Sequence, residues 1–443
     1  MLCVRHGSPP GERQAHRFAL PPTTPAVQSE TGLENMWYEV YYWILVNYKW
    51  AFLFICAYLA LNALGNLLPK PRLKPARVFA RFALIIPAHN EELVLGDLLK
   101  NLRALDYPKD LVDLWVLCDH CTDRTRQIAE QHGAVALLRT GGPPGKGNAL
   151  DWGLNEIFRR KGTEYYDACA FFDADNRVMH NFLRVMNDHL QVGHQAMQAY
   201  LDIKNPCTNW ITRTIFVEQH SSNFLWHGGK LRLHGGNYLI GTGMCIKANI
   251  LVEIGWKVES VVEDLEMSLK MALRGIRIYW VEETKVYDEV PIKLRIMWYQ
   301  RQRWAVGLWK CLLRYTWPCL WRGLITANGR LWDMVLYMLN PIFVFLSLLY
   351  LILNGVNAIF GIVHFPPDSL MTYAGSIFGI LYAFSGVLFS RIPILPNLPF
   401  ILIYYSLIPI VSTAEYLVSL FRLQKKVWFH TPHSLTLDEK IKL

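Results

Sequence analysis

Four blocks of apolar residues, each near the ~20 that a bilayer core of roughly 30 Å requires, bracket one long stretch of mixed composition. The first, residues 50–68, reads WAFLFICAYLALNALGNLL, and the others lie near 335–353, 371–389 and 399–421. A chain built this way has to divide itself between lipid and water. Its 52% hydrophobic content, with 16 Trp, 21 Tyr and 21 Phe, is accordingly concentrated toward the two ends.

Basic residues orient the arrangement. Lys70, Arg72, Lys74 and Arg77 crowd the end of the first block in KPRLKPAR, and Lys/Arg-rich flanks stay cytoplasmic, so residues 81–330 are expected in the cytosol. Three further spans would leave the C-terminus outside. RLQKKVWFHTPH, with Arg422, Lys425 and Lys426, nevertheless carries cytoplasmic charge; the two agree if one block is interfacial or re-entrant. Residues 1–35, rich in Pro, Arg, Gln and Thr and lacking a signal-peptide run, are expected to be disordered, with Met36 an alternative start. The expected organisation is a disordered segment (1–35), an N-terminal transmembrane region (36–70), a cytosolic domain (71–290), interface helices (291–330), a C-terminal transmembrane region (331–421) and a cytosolic tail (422–443).

A net charge of +9 suits an anionic leaflet or an anionic substrate, and the sequence contains no nucleic-acid motif. The nine cysteines form no paired framework, and Cys118 and Cys121 are a lone C-x-x-C, too little for a zinc site.

Within the cytosolic part strands and helices alternate: FALIIP, EELVLGDLLKNLRAL, DLWVLC, TDRTRQIAEQHG, AVALL, GKGNALDWGLNEIFRR, DACAFF. Such alternation builds a mostly parallel sheet with helices on both faces, and ligands bind beyond the carboxyl ends of its strands. Asp119 follows DLWVLC, Asp173 follows DACAFF, and Pro87, His89 and Asn90 follow the first strand, so these groups are expected on one rim. A single Asp there is more often a helix N-cap; two acidic strand ends, the second reading D-A-D, favour function.

Asp173 and Asp175 offer hard oxygen ligands that suit Mg2+ or Mn2+ bridging a diphosphate, although a bare D-x-D also occurs in turns. Glu263 and Asp264 open the helix in SVVEDLEMSLKMALRG, where they either complement the helix dipole or supply a general base. In WYQRQRW a helix puts Gln300, Arg303 and Trp304 on one face, a guanidinium for phosphate and an indole for a sugar ring. The Trp-rich run from Pro291 onward also reads as an amphipathic helix on a membrane surface. Lys146, between glycines before a helix, suits a phosphate contact without P-loop spacing.

In order, PAHNEE, DHCTD, GKGNAL, FDADN, GTGMC, VEDLE and QRQRW resemble the family 2 inverting glycosyltransferases of GT-A fold, and most of all the membrane-integrated exopolysaccharide synthases that make cellulose, hyaluronan and poly-N-acetylglucosamine. The resemblance spans residues 82–307. It implies an α/β GT-A nucleotide-sugar domain with transmembrane helices at both ends and amphipathic interface helices, in an integral protein of the bacterial inner (plasma) membrane. Pro87, Ala88 and Glu91 would line the nucleoside pocket, with Asp119 on the base or ribose and Lys146 near the diphosphate or uracil. Asp175 would bind the metal, with Asp173 beside it and the ribose; Asp264 would be the base, oriented by Glu263. Gln300, Arg303 and Trp304 would hold the donor diphosphate and the acceptor end, bordered by Gly241, Thr242 and Gly243. Two motifs depart from the usual form, with Cys121 in a commonly hydroxylated place and VED for TED. VWFHTPH resembles the cytoplasmic W-x-x-T segment of such synthases. The implied activity is hexosyl transfer from a nucleotide sugar, UDP-linked by preference, to a growing polysaccharide, with possible export partners. The competing expectations are single transfer to a lipid acceptor and a non-catalytic scaffold of an export complex.

Overall fold

The computed structural model describes residues 36, 39, 40, 42, 43, 50, 54, 57–69, 73–233, 237–360, 386 and 392–423. The expectations for residues 1–35, for nearly all of the block at 371–389 and for VWFHTPH fall outside the described residues. The chain divides into Met1–Val46 and Asn47–Leu443. In the first unit the described positions are helical, with the Tyr42 and Trp43 rings edge to face; everything below concerns the second.

Its centre is an eight-stranded sheet. In chain order the elements begin β1 (Phe82–Ala88), α1 (Leu95–Arg103), β2 (Val112–Asp119), α2 (Thr125–Gln131), β3 (Val135–Arg139), α3 (Lys146–Lys161) and β4 (Ala168–Phe171). There follow β5 (Arg177–Val178), α4 (Phe182–Gln191), β6 (Ala196–Ile203), α5 (Trp210–Ser222), a π-helical turn at Asn223–Gly228, α6 (Gly229–Leu233), β7 (Met244–Lys247), α7 (Ala248–Ile254), α8 (Glu263–Leu273) and β8 (Ile278–Asp288). The strand order is β3-β2-β1-β4-β7-β6-β8-β5. Strands β3, β2, β1, β4, β6 and β8 run one way, and β7 and β5 the other.

Period-2 alternation in β1 explains why it reads as one unbroken apolar run: both faces are covered. Phe82, Leu84 and Ile86 face Leu95, Leu98, Leu99 and Leu102 of α1 and Phe182 and Met186 of α4. Ala83 and Ile85 face the other layer, with Leu150, Leu154 and Ile157 of α3 and Met267 and Met271 of α8. Leu99 is fully buried, so Leu99→Ala is expected to cost about 2–5 kcal/mol by denaturant titration. The chain steps outward from β1 to β3 and returns on the other side as β4, so the order reverses at β1 and opens a crevice at the strands' carboxyl ends.

After β8 come α9 (Leu294–Ile325), α10 (Gly329–Met338), α11 (Asn340–Phe360) and α12 (Ile394–Leu420). Cys311, Tyr315 and Cys319 of α9 pack with Leu265 and Leu269 of α8 and with Leu331, Met334, Val335 and Met338 of α10. Among the described residues one helix, α12, is long and apolar enough to cross a membrane. Residues Gly329–Met338 and Asn340–Leu346 pass that test together but bend by 50° at their junction. Of the expected N-terminal span, residues 57–65 are described and helical. Helix α12 is fastened to the globular part: Arg213 Nε donates to Asn397 Oδ1 (2.6 Å), Trp309 Nε1 to the Tyr416 carbonyl (3.2 Å) and Arg422 Nη1 to Gln302 Oε1 (2.6 Å).

Candidate active site

The ends of β1 and β2 are locked together first. Asn90 and His120 both adopt left-handed backbone, with φ of 55° and 52°, a conformation common at functional turns and costly elsewhere. His89 Nδ1 meets the Asp119 carbonyl at 2.6 Å, and Asn90 Oδ1 accepts from the Thr122 N–H at 2.8 Å. Cys121 stands in for a hydroxyl: its Sγ donates to the Ala88 carbonyl (3.4 Å) and accepts from the Asn90 N–H (3.5 Å). The Glu91 N–H donates to Thr125 Oγ1. These contacts hold Ala88 and Glu91 beside the loop that follows β2, with Pro87 one residue before Ala88 in β1.

Asp119 is buried at the tip of β2. Its Oδ1 accepts from Arg139, its register partner on β3, and contacts His120 Nδ1 at 2.8 Å, while Oδ2 accepts from the Gly145 N–H at 2.9 Å. Arg139 also donates to the Pro143 carbonyl. This pairing fixes the loop that enters α3, so Asp119 acts here on the protein's own backbone. Arg139 went unread in the sequence, although opposite charges directly across a parallel pair at two strand ends are a usable signal.

That loop delivers Lys146 to the centre. Gly147 lets α3 approach closely, since a Cβ there would lie 2.6 Å from Val258 Cγ2 and 3.4 Å from Glu263 Cβ. Lys146 Nζ contacts Asp173 Oδ1 at 2.6 Å and Glu263 Oε1 at 3.4 Å, and donates to the Gly241 carbonyl at 2.9 Å. Burial disfavours its charge, but Asp173 and Glu263 more than reverse this, so its pKa rises and the ammonium persists. Three segments far apart in the chain converge on one cation.

The D-A-D turn is held from beneath. Asn176 Oδ1 accepts from the Asp173 N–H (2.9 Å) and from Thr242 Oγ1, and its Nδ2 donates to Asp288 Oδ1 (2.9 Å). Asp175 is 8% exposed, with its carbonyl accepting from Lys204 Nζ. Gly241 and Gly243 have φ of 79° and 63°. A Cβ at Gly241 would lie 3.3 Å from Asp264 Oδ2 and 3.5 Å from Lys146 Nζ; one at Gly243 would meet Val286 at 2.9 Å. Glycine is therefore required on both sides of Thr242. Among the described residues no cluster of three or more His, Cys, Asp or Glu could hold a metal. Asp173, one oxygen of which is paired with Lys146, and Asp175 bring hard oxygen donors of the kind a magnesium-like ion takes, one or two carboxylates with substrate phosphate and water completing the shell.

Glu263 and Asp264 begin α8. Burial, and after it the charge of Glu263, pushes the Asp264 carboxyl up to about 7 against the pull of Lys146, which suits proton abstraction near neutral pH. The turn before α8 is braced by Glu266, whose Oε2 accepts from the N–H groups of Glu259 (2.8 Å) and Ser260 (2.7 Å), while Tyr315 of α9 donates to Oε1 (2.9 Å). Glu266 also went unread, because helix position alone does not reveal that its carboxylate turns back onto the preceding loop.

Helix α9 carries Gln300, Arg303 and Trp304. Gln300 and Arg303 are half-buried and Trp304 is 47% exposed. Arg303 Nε is buried without a hydrogen-bond partner among the described residues, which leaves that donor open to a ligand or to water. The two residues between serve packing: Arg301 pairs with Glu218 of α5, and Gln302 accepts from Arg422. Gly307 sets the depth, since a Cβ there would strike the Val262 methyls at 2.7 and 2.8 Å. Gly307→Ala is expected to displace α9 from the Val262–Asp264 turn, cost about 1–3 kcal/mol and lower turnover; thermal denaturation and steady-state rates check both.

Residues 83–251 match the model described as "Glycosyl transferase family 2", and residues 170–363 that described as "Glycosyl transferase family group 2". A beta-monoglucosyldiacylglycerol synthase of Nostoc sp. is 27% identical over 66% of this chain and 63% of its own length. A poly-beta-1,6-N-acetyl-D-glucosamine synthase of Staphylococcus aureus is 26% identical over 52% of this chain and 55% of its own. The chain spans about half to two thirds of the length of the curated relatives it matches. A mannosyltransferase from Pyrobaculum calidifontis, solved with GDP-Man and Mn2+, superposes with a TM-score of 0.54 at 15% identity over 84% of this chain and 98% of its own. Matched sequence and shared fold lead to one conclusion: residues 83–363 carry sequence that matches glycosyltransferase family 2 models on a GT-A-like α/β sheet, which supports a transferase enzyme.

Proposed function

We propose that the protein transfers a hexosyl unit, with inversion at the anomeric carbon, from a nucleotide sugar to a hydroxyl of an acceptor at the membrane. The observation that carries this reading is Lys146, whose ammonium touches both Asp173 of the D-A-D turn and Glu263 beside Asp264. Donor-side and base-side carboxylates so joined leave room for one reaction centre.

In this reading Pro87, Ala88 and Glu91 border the nucleoside, Asp119 shapes the loop around it, and Lys146, Gln300 and Arg303 face the diphosphate. Asp175, with Asp173 beside it, would hold Mg2+ or Mn2+, which when bound neutralises charge on the departing diphosphate. Asp264 removes the acceptor hydroxyl proton, the freed oxygen forms its bond to the anomeric carbon, and the bond from that carbon to the phosphate oxygen breaks with its electron pair. The proton stays on Asp264 until product leaves. Gly241, Thr242, Gly243 and Trp304 border the acceptor. The domain faces the cytosol of a bacterial inner membrane and α12 anchors it.

A lipid hydroxyl is the acceptor we favour, supported by the diacylglycerol-using name of a relative that aligns over 66% of the chain. QRQRW and the poly-N-acetylglucosamine synthase relative support the other reading, processive synthesis of an exopolysaccharide with export partners. Membranes incubated with radiolabelled UDP-glucose, UDP-N-acetylglucosamine or GDP-mannose and Mn2+ decide between them. One lipid-extractable glycoside is expected; a ladder of oligosaccharides would replace the lipid reading with the polymer one, and no nucleotide release from any donor would overturn both.

A further inference from the structure

The C-terminal end of α8, the start of β8 and the N-terminal turn of α10 enclose a cavity of about 20 Å3 bordered by Asn237, Arg277, Asn328, Arg330, Asp333 and Met334. A water site needs about 10–15 Å3, so the space admits one or two oxygens of a ligand and no whole sugar or nucleotide. Its acid is already engaged: Asp333 accepts from buried Lys230 at 2.9 Å and from Tyr58. Neither guanidinium has a carboxylate partner among the described residues. Arg277 donates to the Leu231 carbonyl (3.2 Å) and lies over the Tyr279 ring at 4.3 Å, and its Nε is buried without a partner. Burial foremost, and the nearby positive charge of Arg330, hold the Arg277 pKa below its ordinary range against the favourable field of Tyr279. Two guanidiniums thus border one small cavity, one of them with an unmet donor, an arrangement that a bridging anion would relieve.

The surroundings indicate which anion. The end of α9 and the first turn of α10 expose Trp321, Leu324, Ile325 and Trp332 at 54, 62, 66 and 47%, and Trp332 lies against Gly323, where a Cβ would come within 2.4 Å of its indole. Exposed indoles and aliphatic side chains beside arginines belong at the lipid headgroup level. Helix α10 begins there, its Asn328 cap accepting from the Arg330 N–H, and it forms the first half of the bent apolar pair. The cavity lies at the far end of α8 from Asp264, roughly 15 Å along that helix at its rise per residue, and shares no residue with the catalytic rim.

We propose that Arg277 and Arg330 bind the phosphate of an anionic membrane lipid headgroup. The inference does not depend on the transferase reading, and its test uses no catalysis. Full-length protein purified in neutral detergent is titrated with short-chain phosphatidylglycerol, short-chain phosphatidylcholine or inorganic phosphate, and thermal unfolding is followed. Phosphatidylglycerol is expected to raise Tm saturably by a few degrees, with no rise from the other two at equal concentration. Arg277→Gln and Arg330→Gln should each abolish the rise. Without lipid Arg277→Gln is expected to lose some stability with its hydrogen bond to the Leu231 carbonyl and its contact with the Tyr279 ring, whereas Arg330→Gln should unfold near the parent temperature. If Arg277→Gln fails to fold, Arg330→Gln carries the test, since among the described residues the Arg330 side chain makes no hydrogen bond to lose. A rise equal with phosphatidylcholine, or persisting in Arg330→Gln, overturns the proposal; a rise equal with inorganic phosphate assigns a soluble anion and overturns the lipid.

Discussion

Asp264→Asn is expected to lower kcat by about 10²–10⁴-fold, the range a positioned general base supplies, while the donor dissociation constant stays within about twofold. The amide keeps the size and the hydrogen bond from the Leu265 N–H but cannot take the acceptor proton. The wild-type pH profile should match: in the free enzyme kcat/KM rises with pH and levels off above about 7, where Asp264 becomes ionised. The same shift has a consequence for stability. The native carboxyl binds its proton more tightly than the unfolded one, so native stability from this group falls as pH rises from about 4 to 7. Asn therefore relieves an unfavourable buried charge, and the inactive variant should unfold at higher temperature than the parent at pH 8. Loss of turnover with gain of stability is the signature of a functional group held against its own preference; unchanged turnover would remove Asp264 from the mechanism.

Lys146→Met is the second large effect, with turnover falling by about 10²–10³-fold, as when one preorganised electrostatic contact is removed. Lys146 neutralises Asp173 and Glu263 and lowers the Asp264 pKa. Its loss should move the acid limb of kcat/KM to higher pH as well as weaken donor binding. Lys146→Arg keeps the charge and should retain the limb near its original position. Both variants are read by donor titration and by pH profiles, and a limb that stays put in Lys146→Met would mean that the ammonium does not act on Asp264.

Much of this architecture was legible from the chain alone. The runs FALIIP, DLWVLC and DACAFF announce buried parallel strands, and the residues after them, Asp119 and Asp173, do reach one rim because strands of one direction end on one side. Lys146 was legible as a cation at a helix start. What the sequence concealed is how these groups are held. The second half of the sheet gives no comparable pattern: β7 has four residues and runs antiparallel, and β8 carries Glu282, Glu283 and Lys285 within a strand whose register with β6 shifts at Ala199/Tyr200. Helix α9 continues through Pro318 into a single 32-residue rod, because packing against α8, α10 and α12 outweighs one lost hydrogen bond. Asp119 shows this concealment best: its carboxylate also accepts from Arg139 and a backbone N–H and contacts His120, a network that the motif alone does not reveal.

In the proposed mechanism the D-A-D turn, Lys146, the Glu263–Asp264 pair and Arg303 surround a single nucleotide-sugar. A structure of the full chain with UDP and Mn2+ tests it most directly. The diphosphate is expected between Asp175 and Arg303, with Lys146 at hydrogen-bond distance and the Asp264 carboxylate facing the space where the anomeric carbon would lie. A nucleotide seated elsewhere, or one at the rim with Asp264 turned away from its terminal phosphate, would contradict it.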